Sequence, residues 1–259
     1  MPRVGTFANA EATWKIYPLG NEAGEPVGAG DILVSELGKM PSPHSIYTRQ
    51  PANFRIPPHY HDNAQFQVFV EGGATFGSRS IRPLTVHFAT HQTGYGPIVS
   101  GDQGLIYITL RMATEFGAHL VDKPEERERM NPRIRRRQIT HDVAPLAPGA
   151  LQALAASQVV VALEPEPNGL AAWVMRLPPS ATLDVPKHAG GAGQFHIVTA
   201  GSMIVDGETY GRHASAWVGP EETGFILRAG DQGLEVVVCQ FPREALLRAE
   251  EIGTAGAAQ

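Results

Sequence analysis

The sequence predicts an all-β protein made of two similar units in tandem, followed by a short C-terminal helix. The first observation is composition: 28 glycines and 21 prolines among 259 residues favour many short strands joined by tight turns. The second is a series of short apolar or alternating runs between these turn residues. The third is an internal repeat, because the pentapeptide GDQGL occurs at residues 101–105 and again at 230–234.

The repeat extends beyond this pentapeptide at a constant offset of 129 positions, which is 230 minus 101. At the same offset the segment FRIPPHYHDNAQFQVFVEGG is matched by LDVPKHAGGAGQFHIVTAGS. The identities in these segments include Pro57 with Pro186, His59 with His188, Gln65 with Gln194 and Gly72 with Gly201. Several identities at one offset indicate a duplicated unit, which spans about 31–112 and about 160–241.

The repeat divides the chain into five predicted parts. These are an N-terminal extension (1–30), a first unit (31–112), an arginine-rich linker (113–158), a second unit (159–241) and a C-terminal helix and tail (242–259). Strands of the first unit are predicted at FRIP, FQVFVEG, IRPLTVHFA and LIYITLRM. In the second unit Asn168-Gly169 separates two apolar runs and predicts a hairpin. The segment PREALLRAEEIG predicts the helix.

Charge excludes some classes of partner. The net charge of −5, with no strongly basic half, argues against nucleic acid. The linker nevertheless contains six arginines, which are Arg127, Arg129, Arg133, Arg135, Arg136 and Arg137. Because glutamates are interleaved with them, a solvated or salt-bridged face is a better interpretation than a patch for an anionic ligand.

The number of cysteines and the hydropathy of the sequence indicate the cellular compartment. The single cysteine, Cys239, excludes an internal disulfide and fits a reducing compartment, and its setting EVVVCQF predicts a small core residue. The sequence has no apolar run of membrane length, and its N-terminus lacks the apolar region of a signal peptide. We therefore expect a cytoplasmic protein with no membrane partner.

The segment PPHYHDNAQFQVFVEGG at residues 57–73 has the strongest chemical signal. On an extended strand residues i and i+2 point to the same side, so His59 and His61 present two imidazoles to one point. Two neutral imidazoles with one or two further donors form an open site for a divalent transition metal. The alternative is a pair of surface histidines that hydrogen-bond to nearby loops.

The spacing His59-x-His61, three residues, Gln65, six residues and Gly72 resembles the first motif of the cupin superfamily, in which Gln65 would be a glutamate. With the duplication, the chain is similar to bicupins. The resemblance implies two tandem cupin barrels of the double-stranded β-helix or jelly-roll type. It places a divalent metal (Fe, Mn, Ni or Zn) in the first barrel and makes the second barrel degenerate, since Gly190 stands at the position of His61.

The same resemblance suggests roles for two further residues. Gln65 is neutral, so it would leave a bound metal with its full charge. It ligates the metal, holds a water molecule or orients His61. The histidine of the second cupin motif falls near Tyr95, whose possible roles are weak ligand, proton donor and packed aromatic.

The third imidazole has two candidates. His91 is ranked above His87, because His87 alternates with apolar neighbours and points away from the core if those neighbours fill it. The predicted metal ligands are therefore His59, His61, Gln65 and His91, and the predicted catalytic residues are Tyr95 and Gln65.

The resemblance implies a metal-dependent enzyme that acts on a small organic molecule in the N-terminal barrel. Dioxygenase-type oxidation comes first, and lyase, isomerase or hydrolase chemistry follows. The rival interpretation is a non-catalytic cupin that binds a small ligand or acts as a sensor, which Gln65, Gly190 and the missing second-motif histidine favour. Exposed sheet edges predict a homodimer.

Overall fold

The computed structural model describes residues 2–17, 26–36, 41–114, 117–222 and 225–246. The first half contains β1 (Arg3–Gly5), α1 (Phe7–Ala12), β2 (Lys15–Tyr17), β3 (Val27–Leu33), β4 (His44–Gln50), β5 (Arg55–Ile56), β6 (His59–Tyr60), β7 (Gln65–Phe76), β8 (Arg79–Ile81), β9 (Thr85–Ala89) and β10 (Ile98–Arg111). The second half contains β11 (His119–Leu120), α2 (Pro124–Arg129), β12 (Gln138–Asp142), β13 (Gln158–Leu163), β14 (Ala171–Leu177), β15 (Thr182–Asp184), β16 (Gly191–Val205), β17 (Glu208–Tyr210), β18 (Ser215–Val218) and β19 (Ile226–Pro242).

Two large antiparallel sheets form two jelly-roll-like barrels. The first sheet has the order β12-β9-β7-β10-β4-β3-β2, with β5 on β10 and β8 on β7. The second has the order β1-β18-β16-β19-β14-β13, with β15 on β19 and β17 on β16. Strands β6 and β11 pair separately. The all-β class is confirmed. Among the described residues, no helix is long and apolar enough to cross a bilayer.

Strand register shows the repeat in three dimensions. Equivalent pairs lie 129 positions apart in the two sheets: Gln65–Ala89 with Gln194–Val218, and Gly72–Leu105 with Gly201–Leu234. The GDQGL segments lie at the same place in β10 and β19. Gly101 and Gly230 therefore occupy equivalent positions, as the repeat predicts.

Each sheet gains a strand from the segment that precedes the other unit. Strand β1 lies ahead of the first unit but pairs with β18, whereas β12 lies ahead of the second unit but pairs with β9. Strand β3 crosses the predicted boundary between residues 30 and 31. The segments expected as an extension and a linker thus contribute to the sheets, and the exchange couples the two barrels.

Alternation along the strands produces separate apolar cores. On β7, Phe66 faces a core shared by the two barrels, where its ring centroid lies 4.9 Å from that of Phe241. Phe195, from β16, packs against the same Phe241 ring at 5.8 Å. Phe69, three positions after Phe66, faces the interior of the first barrel. The second barrel has an apolar interior of its own.

Several local features follow the sequence. Gly169, at φ +90°, lies in the turn between β13 and β14, and its N–H donates to Glu166 O at 2.8 Å, so the predicted hairpin is confirmed. Cys239 is buried, and burial raises the pKa of its thiol above the usual range. Residues 243–246 are helical, and the rest of the predicted C-terminal helix lies outside the described residues.

The arginine-rich segment is partly salt-bridged. Arg129 pairs with Glu126 at 3.3 Å on α2, the short helix that the linker contributes. Arg137 donates to Glu166 at 2.6 Å, which links this segment to the second barrel. Both pairs agree with the interpretation of these arginines as a salt-bridged face rather than as a ligand patch.

The duplicated glycines give a test of the fold. A Cβ on Gly201, at φ +68°, would lie 2.0 Å from Gly233 O, whereas a Cβ on Gly207, at φ +84°, would meet nothing within 4 Å. Gly207→Ala should cost about 1–2 kcal/mol for its left-handed backbone alone. Gly201→Ala should cost at least about 1 kcal/mol more, because it also clashes. Denaturant unfolding measures both, and equal costs would contradict the close strand approach.

Candidate ligand site in the first barrel

Four of the five predicted site residues lie together in the first barrel. The ring centroids of His59 and His61 are 5.3 Å apart, and the Tyr95 ring lies 4.6 Å from that of His59. Gln65 Nε2 donates a hydrogen bond to the Tyr95 hydroxyl. All four residues are buried. The spacing argument thus correctly predicts that the two imidazoles lie close together, although β6 ends at Tyr60 and His61 follows the strand.

Backbone contacts fix this group. His59 and Tyr95 form an isolated β-bridge, in which each backbone N–H donates to the carbonyl oxygen of the other residue, with N···O distances of 3.1 Å and 3.0 Å. The bridge places Tyr95, which lies near the expected second-motif histidine, against His59 of the first motif. The Nδ1 atom of His59 lies 2.8 Å from Pro57 O. Because a carbonyl oxygen only accepts, Nδ1 is the donor of this hydrogen bond and carries a proton.

Arg111, the last residue of β10, was not identified from the sequence. Its Nε and Nη2 donate to Gln65 Oε1 at 3.0 Å and 2.9 Å, and Nη2 lies 3.1 Å and 3.2 Å from the two ring nitrogens of His61. Arg111 is 6% exposed. In the described part of the chain no carboxylate forms an ion pair with it. The guanidinium is therefore a buried cation held by an amide and an imidazole.

A sequence signal for Arg111 exists but is weak. Arg111 alternates with Tyr107 and Thr109 in LIYITLR, so all three face one side of β10. That side is the barrel interior, because Arg111 pairs with Gln65 and Thr109 with Gln67. The orientation of Arg111 toward the interior follows only from the strand register between β7 and β10, and motif spacing in the sequence does not give that register.

The arrangement does not fit a divalent metal held by His59, His61 and Gln65. The Gln65 oxygen accepts two N–H groups from Arg111, and His61 faces the same guanidinium. A metal cation at this place would be repelled by the charge of Arg111, and the lone pairs that would coordinate it are already engaged. Within the described ranges, no cluster of three or more His, Cys, Asp or Glu side chains is suited to hold a metal ion.

His91 does not join the group. It lies in a turn after β9 and lines a different cavity, next to Phe88 and Arg137, near the boundary between the barrels. Its ranking as the third imidazole is therefore corrected: the chain leaves the interior where β9 ends at Ala89.

His87 does face the barrel interior. Its ring lies 5.4 Å from that of Tyr95, and its Nδ1 lies 2.8 Å from Thr140 Oγ1. The expectation that it points away assumed that its neighbours Val86 and Phe88 fill the interior. They fill the core between the barrels instead. Burial lowers the pKa of His87 to about 3.

A cavity of about 140 Å³ opens onto the site. Its lining includes Thr48, Ile56, His59, His61, Gln67, Tyr107, Thr109 and Arg111. Burial raises the pKa of Tyr107 to about 12, so its hydroxyl stays neutral. Arg111 thus adds a guanidinium charge to a lining that otherwise carries apolar, hydroxyl, amide and imidazole side chains, a composition that suits a small ligand with one anionic group.

The second barrel lacks this constellation. Gly190 and Gln240 stand at the positions of His61 and Arg111, and Val238 at that of Thr109. His196 stands at the position of Gln67, is fully buried, and has no hydrogen-bond partner on either nitrogen in the described structure. Its ring packs edge-on against Phe225 at 4.7 Å. The interior of the second barrel is therefore more apolar than that of the first at these positions.

His196 should make stability depend on pH. Burial lowers its pKa to about 3 from 6.5. The unfolded ring takes up a proton below about pH 6.5 while the folded ring does not, so stability is lost as the pH falls from about 6.5 toward about 3, by up to about 1.4 kcal/mol per pH unit. His196→Leu should remove this loss and stabilise the protein at neutral pH by about 1 kcal/mol, since an unpaired polar group leaves the core.

Urea unfolding between pH 4 and pH 7.5 measures this slope. His188→Leu is the control, because His188 lies in the equivalent motif but is only half-buried. An unchanged slope in His196→Leu would contradict the buried neutral state of this residue.

No family model matches the chain, and no curated protein matches it in sequence. Solved structures resemble it in fold. Bacterial pirin YhhW from Escherichia coli, in complex with nickel(II), is 11% identical, with a TM-score of 0.57 over 93% of this chain and 99% of that chain. Oxalate decarboxylase from Bacillus subtilis, studied for its Mn(II) centres, is 13% identical, with a TM-score of 0.56 over 89% and 77%. Salicylate 1,2-dioxygenase from Pseudoaminobacter salicylatoxidans, in adducts with gentisate, is 13% identical, with a TM-score of 0.56 over 97% and 83%.

Proposed function

The chain has the fold of the cupin superfamily in its tandem form, and we propose that its first barrel binds a small organic acid through Arg111 and acts on it as an enzyme. The observation that carries the proposal is the buried guanidinium, which has no carboxylate partner among the described residues. The fold alone would not select this function, because cupin barrels support many chemistries.

Electrostatics favour a carboxylate as the missing partner. A buried charge without a counter-charge is costly, and a ligand anion removes that cost when it binds. Arg111 uses Nε and Nη2 for Gln65 and His61, and in the described part of the chain its Nη1 makes no hydrogen bond. The donors of Nη1 remain for a carboxylate, which matches the planar guanidinium group in shape and charge.

The surrounding side chains can move a proton on such a ligand. His59 Nδ1 faces Pro57 O, and in the tautomer that carries its proton there Nε2 is the nitrogen that acts as a general base. The Tyr95 hydroxyl accepts from Gln65, and a phenol hydroxyl can also act as a proton donor. Arg111 stabilises negative charge that develops on the substrate. This set supports lyase or isomerase chemistry on an acid.

Replacement of Arg111 tests the proposal. Wild-type protein should bind at least one small acid among acetate, propionate, butyrate and benzoate, and Arg111→Met should weaken that binding by about tenfold or more, as expected for a lost charge-assisted hydrogen bond. Dissociation constants can be measured by NMR titration. Arg49→Met is the matched control: it removes the same charge from the exposed face of β4. Equal binding by Arg111→Met, or no binding by the wild type, would refute the anion site.

A metal-dependent oxidoreductase of the dioxygenase type is the second candidate. The observation in its favour is the tautomer of His59, whose Nε2 has the state of a metal-ligating nitrogen. Elemental analysis of protein purified without chelators separates the candidates. Near-stoichiometric iron, manganese, nickel or zinc in the wild type would favour the oxidoreductase. Its absence, even after incubation with each metal, would favour the acid-binding site.

The homodimer expected from the sequence belongs to the same proposal. The second sheet ends at β13, whose Val159 and Val161 are 45% and 39% exposed. An open strand edge with exposed valines can pair with a second copy. Val161→Lys should therefore yield monomers in light scattering. Ile226→Lys, which changes an exposed residue on a strand paired on both sides, should not. A monomeric wild type would contradict this expectation.

A further inference from the structure

Two buried polar side chains of the first barrel have atoms without hydrogen-bond partners. Gln67 on β7 and His87 on β9 are directly paired across the sheet and are 2% and 0% exposed. In the described structure neither Gln67 Oε1 nor His87 Nε2 has a partner. Buried polar atoms are nearly always hydrogen-bonded, so an adjacent pair of exceptions requires a reason.

The hydrogen-bonding capacity of these two atoms indicates which ligand group would pair with both. Gln67 Oε1 only accepts hydrogen bonds, whereas Nε2 of a neutral imidazole donates or accepts according to its tautomer. Thr140 Oγ1 holds the Nδ1 side of His87 and leaves Nε2 directed elsewhere. Burial keeps the His87 ring uncharged, because its pKa is lowered to about 3. A hydroxyl group fits both atoms, since it donates one hydrogen bond and also accepts.

Of this pair, Gln67 lies within reach of Arg111, and His87 lies one strand further, opposite Gln67. Thr109 of β10 pairs with Gln67 and Arg111 pairs with Gln65, so Arg111 and Gln67 are diagonal neighbours on the barrel wall. Diagonal neighbours are about 7–8 Å apart, which a short carbon chain spans. Gln67 and Arg111 both line the cavity of about 140 Å³.

We propose that this cavity takes a small hydroxycarboxylic acid, with its carboxylate on Arg111 and its hydroxyl at a subsite formed by Gln67 Oε1 and His87 Nε2. The inference rests on the proposed function, because it uses Arg111 as the anchor for the acid. It adds the class of ligand and the two residues that select it.

The second barrel supports this assignment by contrast. There the positions of Gln67 and His87 are taken by His196 and Ala216, and the position of Arg111 by Gln240. Gln240 donates to Gly169 O and His188 O and is satisfied within the protein. An anchor for an anion and a pair of unpartnered polar atoms therefore coincide only in the first barrel among the described residues.

Matched acids test the subsite in wild-type protein. Acetate, propionate and butyrate are compared by NMR titration with glycolate, 3-hydroxypropionate and 4-hydroxybutyrate, which add a hydroxyl at increasing distance from the carboxylate. At least one hydroxy acid should bind at least about tenfold more tightly than its parent, as expected when a ligand satisfies polar atoms that are otherwise unpaired. Gln67→Leu should abolish this preference, so that each hydroxy acid binds that variant no more tightly than its parent acid does.

Control variants separate the possible results. Thermal unfolding should show that Gln67→Leu folds, since it removes an unpaired polar atom from the interior. His87→Phe should reduce the preference for the hydroxy acid, and His196→Leu in the second barrel should keep it. Equal affinities within every pair, with binding that still depends on Arg111, would refute the hydroxyl subsite alone. Failure of the wild type to bind any of the six acids would refute the anion site and the subsite together.

Discussion

The two-residue alternation of the central strand pair, β7 with β10, is the constraint on which the first barrel depends. One face of β7 carries Phe66, Val68 and Val70 into the core between the barrels, and the other carries Gln65 and Gln67 into the interior. A slip of one residue would exchange these faces. Close approach of Gly72 to Gly104 O, where a Cβ would lie at 2.1 Å, fixes the register. The apolar core between the barrels and the polar site are thus two consequences of one strand pairing.

The duplication shows which positions stability requires and which are open to function. Both barrels retain the glycine contact, the bulged central strands and the aromatic residues of the shared core. Their interiors differ, because Thr109 and Arg111 of the first barrel correspond to Val238 and Gln240 of the second. A polar interior costs stability unless a ligand or the protein satisfies it. The first barrel therefore carries a cost that the apolar interior of the second does not, and under the proposed function a bound ligand offsets it.

Sequence patterns predicted the features that depend on local or repeated signals. The offset of 129 residues located equivalent strands, Asn168-Gly169 located a hairpin, and the His59-x-His61 spacing located two neighbouring imidazoles. Features that depend on long-range pairing were missed. The exchange of β1 and β12 joins segments far apart in the chain, and alternation alone cannot state which barrel a strand completes.

The errors on individual side chains have the same origin. Alternation correctly placed His87 opposite Val86 and Phe88, but it could not state which of two apolar cores those neighbours fill. His91 follows the end of β9, where alternation no longer applies. Arg111 reaches the site only through its register with Gln65 across the sheet. Knowledge that the apolar core between the barrels is separate from the interior of each barrel would have reversed the order of the two histidines.

The glutamine at position 65 becomes intelligible once Arg111 is considered. In the cupin pattern that the sequence resembles, an acid at this position would face a metal cation; here the residue faces a guanidinium at 2.9 Å. A glutamate would form a buried ion pair with Arg111 and cancel the charge that an anionic ligand needs. A glutamine accepts the same two N–H groups and orients the guanidinium, but it leaves the positive charge uncompensated. The substitution that weakens the case for a metal is therefore the one that keeps Arg111 available to a carboxylate.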